Sequence, residues 1–121
     1  IRQVIGDKSL FALRLGGCDY TVGGTTIEDA VWACRRFEEA GVDLLDISGG
    51  TCCYARKGHN YPGYFGDISE AVKKEVHIPV LLTGGVGTVQ DAEMLLKEEK
   101  ADMIGVGRII TAKPDWGMEL I

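Results

Sequence analysis

The chain has 121 residues, 45% of them apolar, 26% charged and 7% aromatic, and its 13 Lys+Arg against 18 Asp+Glu give a formal charge of −5. That length supports one domain, residues 1–121, burying roughly two-thirds of the surface its unfolded chain exposes, and the apolar fraction excludes intrinsic disorder. An acidic balance without a long basic run argues against nucleic acid or an anionic membrane as partner. No apolar run approaches the ~18 residues of a membrane span and no signal-peptide pattern opens the chain, so a cytoplasmic protein is expected.

In chain order, Ile1 to Gly6 reads as the tail of a helix, and a start at Ile1 rather than Met suggests a piece of something longer. Leu10 to Leu15 reads as a strand, followed by a helix with Thr25 as N-cap and Glu28 completing a capping box. Ile27, Ala30, Val31, Cys34 and Phe37 then recur at helical spacing, and Gly41 is the natural stop. Val42 to Ile47 is the second strand. A second helix runs over Asp67 to Glu75 with Ile68, Ala71 and Val72 inward, and Pro79 to Leu82 is the third strand. The third helix starts at Thr88, capped with Asp91, and buries Val89, Ala92 and Leu95. Asp102 to Val106 is the fourth strand, and Lys113-Pro114-Asp115-Trp116 continues as a short helix. The strands are continuous apolar runs, which predicts a parallel sheet buried on both faces.

The order β-α-β-α-β-α-β predicts parallel strands joined by right-handed crossovers, in an open doubly wound sheet or a section of a (β/α)8 barrel. A whole barrel takes about 250 residues and eight strands, so this chain holds about half of one. Seventeen glycines, where average usage gives about eight, cluster at strand ends and mark tight turns rather than linkers. The four cysteines, Cys18, Cys34, Cys52 and Cys53, contain no Cys-x-x-Cys, and His59 and His77 lie outside any zinc-ligand spacing. Reduced structural thiols are therefore expected, with a metal or redox role for the Cys52-Cys53 pair the lesser alternative and no metal site.

Two glycine loops carry the chemistry. Thr83-Gly84-Gly85-Val86-Gly87-Thr88 joins a strand to a helix, where glycines admit an anion to the backbone and the N–H groups of the helix start point towards it. Gly105-Val106-Gly107-Arg108 ends the last strand on an arginine, whose planar fork suits phosphate. In eight-stranded barrels the last two βα-loops and a short extra helix commonly build a phosphate site. Neither a Walker loop nor a complete Gly-x-Gly-x-x-Gly is present, which weakens ordinary nucleotide folds. Arg14, inside a strand that should be buried, needs either an ion pair, as with Asp46, or an anionic ligand.

These residues resemble the old yellow enzyme, or NADH:flavin oxidoreductase, family. The likeness runs through Leu13-Arg14-Leu15, Gly24-x-Thr26-x-Glu28, Glu39 to Asp43, Asp46 to Gly50, Tyr61-Pro62-Gly63-Tyr64, Ile78-Pro79-Val80, Thr83 to Val86, Asp91-Ala92-Glu93 and Ala101 to Arg108, closing on Ala112-x-Pro114. It covers nearly the whole chain and maps onto strands five to eight of the family's TIM barrel. The resemblance implies an FMN site: Arg14 against the N1/O2 edge of the flavin, Gly84 and Gly85 as backbone donors to the phosphate, and Gly107 with Arg108 as the second phosphate loop. It also implies hydride transfer from NAD(P)H through FMN to an activated alkene, typically an α,β-unsaturated carbonyl. The family's substrate-anchoring His/His or His/Asn pair and its usual tyrosine proton donor belong to the other half of the barrel, so no catalytic residue is assigned in this chain. The alternatives are another flavin- or phosphate-binding barrel, or a half-barrel module without catalysis. Half a barrel leaves two edge strands and an open face, which predicts a homo-oligomer.

Overall fold

The computed structural model describes residues 1–52 and 55–120, apart from the side chains of Glu119 and Leu120. The Cys52-Cys53 pair thus lies partly outside the described residues. Four strands, β1 (Ala12–Gly16), β2 (Leu44–Ser48), β3 (Val80–Thr83) and β4 (Met103–Gly105), pair in sequence order and all in parallel. Around them run α1 (Arg2–Ile5), α2 (Ile27–Glu39), α3 (Gly66–Lys73), α4 (Val89–Lys97) and α5 (Arg108–Ala112), then a 3₁₀ turn at Trp116–Leu120. Consecutive parallel neighbours joined through helices are the wall of an α/β barrel, here half of one. Among the described residues no helix is long and apolar enough to cross a membrane.

One face of the sheet makes the core. Leu45, Ile47, Val80 and Leu82 are fully buried beneath Ala30 and Cys34 of α2, Ile68 and Val72 of α3, and Ala92 and Leu95 of α4. The opposite face is not covered, which corrects the expectation of strands buried on both sides. In β1, Ala12, Arg14 and Gly16 are exposed, and Met103 of β4 keeps 38% of its surface open. The reason is that α2, α3 and α4 all pack on the same side, as repeated right-handed crossovers require. Register aligns Arg14 with Asp46, Asp46 with Leu81 and Leu81 with Met103 across the open face.

Helix boundaries follow local chemistry. The cap of α2 is Thr26, not Thr25: Thr26 Oγ1 accepts the Asp29 N–H at 3.2 Å, and Asp29 returns a carboxylate to the Thr26 N–H at 2.9 Å. Thr25 is drawn into the preceding loop instead, because its N–H donates to Asp19 Oδ2 at 2.8 Å. Asp19 also accepts the Thr51 N–H at 2.6 Å, tying the β1–α2 loop to the β2–α3 loop. The backbone N–H groups of Thr51 and Thr25 hold its carboxyl down to about 2. Gly41 (φ +88°) ends α2 as expected, and its carbonyl accepts two bonds from Arg2, which also pairs with Asp43 and so pins α1 to the turn. Cys34 is wholly buried, and burial pushes its thiol up to about 11, as suits a core cysteine. Ser69 is buried as well, an inward polar position that the helical stripe of α3 does not reveal.

Candidate functional site

The strand ends of the sheet meet in one cleft of about 420 Å³. Arg14, Gly84, Gly85, Gly107 and Arg108, the five residues singled out in the sequence, all line it. Thr83, Phe65 and Ser48 complete much of its wall.

Arg14 stands on the open face of β1 with 62% of its side chain exposed, rather than buried as its strand pattern suggested. It has the ion-pair partner anticipated from the sequence. Its Nε and Nη2 both reach Asp46 Oδ2 at 2.7 Å, across the strand pair that places the two residues in register. Thr83, the last residue of β3, donates its hydroxyl to Asp46 Oδ1 at 2.8 Å. Both oxygens of Asp46 are thereby engaged, which fixes the plane of the carboxylate and with it the arginine. An ion pair this exposed adds little to stability. What it gives the cleft is a positive group held in one place.

The first glycine loop leaves β3 with left-handed backbone at Gly84 (φ +147°) and Gly85 (φ +72°). A Cβ at Gly84 would lie 2.6 Å from the Phe65 ring, and one at Gly85 2.2 Å from the Tyr64 ring. The turn therefore rests on an aromatic floor, and glycine is what lets it sit there. The following helix start is closed by its own residues, since Thr88 Oγ1 accepts the Asp91 N–H at 3.1 Å and Asp91 accepts the Thr88 N–H. The expected anion-facing N–H groups at that helix start are thus partly spent on the cap, and the loop backbone itself is what faces the cleft.

The second loop differs from expectation in a useful way. Arg108 is not on a loop but opens the short helix α5, which has no side-chain N-cap. The short helix expected at Lys113 to Trp116 is accordingly displaced: α5 ends at Ala112 and the 3₁₀ turn begins at Trp116. Around a Cβ placed at Gly107 there is nothing within 4 Å, so a ligand can approach this backbone closely. The Arg108 Nη2 donates to the Tyr64 hydroxyl at 2.8 Å.

A polar clasp lies beside the cleft. Tyr20 donates its hydroxyl to Asp67 at 2.8 Å, Arg56 pairs with the other oxygen of Asp67 at 2.8 Å, and the Arg56 guanidinium lies 3.9 Å from the centre of the Tyr20 ring. Burial, reinforced by the bond to Asp67, raises the Tyr20 phenol well above its ordinary value. Among the described residues no group of three or more His, Cys, Asp or Glu side chains is placed to hold a metal. Sequence reasoning named Asp46 only as a possible partner and gave no role to Thr83, Phe65 or Tyr64. The signal for Thr83 was its place directly before Gly84-Gly85. The signal for Tyr64 was its place in the Tyr61 to Tyr64 motif.

Parallel strands with two glycine loops and a strand-borne arginine at their C-terminal ends define half of an α/β barrel with a cleft suited to an anion. The chain is 37% identical over 119 residues to an NADPH dehydrogenase of Geobacillus thermodenitrificans, covering 96% of this chain and 33% of that protein. It is 29% identical over 120 residues to an NADH oxidase of Thermoanaerobacter brockii, covering 96% of this chain and 18% of that protein. This likeness to NAD(P)H oxidoreductases agrees with the resemblance to the old yellow enzyme family. It spans about a third or less of the length of these relatives. A GGGPS from Thermoplasma volcanium shares the fold, with a TM-score of 0.50 and 26% identity over 69% of this chain and 30% of that one. No protein-family model matches the chain.

Proposed function

We propose that this chain is the FMN-phosphate-binding half of the barrel of an FMN-dependent NAD(P)H oxidoreductase of the ene-reductase type. The observation that carries the reading is the convergence of Arg14, Gly84, Gly85, Gly107 and Arg108 on one cleft at the strand ends. The residues present fit the group. Glycine lets the Gly84–Gly85 turn sit on the Phe65 and Tyr64 rings at the cleft wall, the backbone at Gly107 is open, and Arg108 brings a fork-shaped donor to the same side. Gly84, Gly85, Gly107 and Arg108 would hold the phosphate. Arg14, fixed by Asp46 and Thr83, would hold positive charge near the ring, where electrons accumulate on reduction. When bound, FMN supplies the capacity to accept hydride from NAD(P)H and deliver it to an activated alkene such as an α,β-unsaturated carbonyl.

The proposal extends to a cytoplasmic setting, where NAD(P)H is the reductant, and to a homo-oligomer that covers the open sheet face. The test is to titrate FMN, and separately inorganic phosphate, into the purified chain and its Arg108→Ala variant, following the visible flavin band and the heat of binding. Loss of one charged hydrogen bond predicts roughly 10- to 100-fold weaker binding by the variant. Equal affinity removes Arg108 from the site. Phosphate binding without any flavin uptake favours a phosphate-binding barrel of another kind.

A further inference from the structure

Two loops of different strands form the anion site, and one side chain from a third segment touches both. We propose that Tyr64 is the positioning residue that sets the two halves of this site against each other, its ring seating the Gly84–Gly85 turn and its hydroxyl aiming Arg108. The inference rests on the reading of that cleft as an FMN-phosphate site.

Tyr64 is 6% exposed and packs edge-on against Phe65, with ring centroids 4.7 Å apart at 82°. Its ring lies flush under Gly85, where a Cβ would come within 2.2 Å of Cε1 and 2.5 Å of Cδ1. At the far end of the same ring, the hydroxyl accepts from Arg108 Nη2 at 2.8 Å. The tyrosine is itself held from behind. Gly63 (φ +63°) brings the chain so close to α4 that a Cβ there would lie 2.6 Å from Leu95, a turn that only glycine adopts without strain. The Tyr64 carbonyl accepts from Arg56 at 3.3 Å, and Arg56 is fixed in turn by Asp67 and the Tyr20 ring. Family likeness marks the Tyr61-Pro62-Gly63-Tyr64 motif without explaining it. The physical reason is that the glycine allows the approach and the tyrosine delivers the contact.

The consequence is preorganisation. An arginine side chain carries large rotamer freedom, and a guanidinium already bonded through one Nη binds an anion without first being ordered. Replacing the hydroxyl by hydrogen keeps the ring, and therefore the seat of the glycine turn, while removing the bond that aims Arg108 Nη2.

The experiment compares the wild-type chain with Tyr64→Phe, Arg108→Ala and the double variant. FMN and inorganic phosphate are titrated into each. In unliganded protein, the Arg108 Nε–Hε resonance is followed by ¹⁵N relaxation. Expected are an ordered Arg108 side chain in the wild type, a mobile one in Tyr64→Phe, and FMN affinity about three- to tenfold weaker in Tyr64→Phe. Adding Tyr64→Phe to Arg108→Ala should cost nothing more, because the hydroxyl acts through the arginine. Wild-type affinity in Tyr64→Phe, a full additional loss in the double variant, or unchanged order of Arg108 in Tyr64→Phe would each overturn the proposal. A mobile Arg108 in the wild type overturns it without any variant. If the wild type takes up neither FMN nor phosphate, the reading of the cleft falls, and the relaxation data still decide whether Tyr64 places Arg108.

Discussion

Gly85→Ala should be a strongly damaging single-methyl change in the cleft. Gly85 sits at φ +72°, a conformation that costs an alanine about 1–2 kcal/mol. The added Cβ would also lie 2.2 Å from the Tyr64 ring, which is nearly buried and wedged against Phe65, so the clash cannot relax into solvent. Overpacking of this kind costs about 1–3 kcal/mol, giving a combined loss of roughly 2–5 kcal/mol from a domain whose whole stability is of order 5–15. With a urea m-value of about 1.5 kcal/mol/M, the unfolding midpoint should fall by about 1.3–3.3 M. Gly87→Ala, two residues on in the same loop, is the control. Nothing lies within 4 Å of its Cβ position and its φ is not positive, so it should be neutral or slightly stabilising through the unfolded chain. Urea titrations followed by far-ultraviolet circular dichroism separate the two variants. The reasoning is refuted if Gly85→Ala keeps its midpoint within about 0.5 M of the wild type, or if Gly87→Ala falls as far.

Glu70 accepts from Lys100 and Lys74, which hold its carboxyl at about 2 against an ordinary 4.5. A depressed folded value stabilises the fold above pH 4.5, and that contribution drains away as pH falls towards about 2, so Glu70→Gln should flatten this part of the acid slope in urea midpoints; an unchanged slope counts against it. The open sheet face and the outer edges of β1 and β4 predict self-association at micromolar concentration, measured by light scattering behind size exclusion, and a cooperatively folded monomer would sink that expectation. The 121 residues alone should not turn over an enone with NAD(P)H, since none of them matches the family's substrate-anchoring pair; steady turnover by the pure chain would contradict this. Cys34, fully buried with its thiol pushed up to about 11, should resist a thiol reagent until the fold is unfolded by urea, and rapid native labelling would refute its placement.

What the sequence could and could not disclose divides along a physical line. Periodicity reports burial along one element, so it located α2, α3 and α4; of the inward residues it named, Ala30, Cys34, Ile68, Val72, Val89, Ala92 and Leu95 are buried, while Ile27, Val31, Phe37 and Ala71 are half-buried. Boundaries set by competing hydrogen bonds were less legible. Thr25-x-x-Glu28 and Thr26-x-x-Asp29 are both credible boxes, and only the pull of Asp19 on the Thr25 N–H decides between them. Contacts between distant segments were the least legible. Arg14 meets Asp46 because the two strands pair in register, and Arg108 meets Tyr64 across 44 positions of chain.

The same division explains why the glycine loops were readable as a site when their support was not. A glycine needed for close backbone approach stands out in composition, whereas the aromatic ring that requires it looks like any other core residue. Apart from the Tyr61 to Tyr64 motif, nothing in pattern sets Tyr64 and Phe65 apart from the rest of the hydrophobic core, yet they form the floor on which Gly84 and Gly85 turn. The residues that line the cleft are thus announced by their exceptional backbone, and those that hold them in place are hidden by their ordinary burial. In this chain the link between the two is the phenolic oxygen of Tyr64: one atom of a core side chain, at the end of a buried ring, reaching the guanidinium at the rim of the cleft.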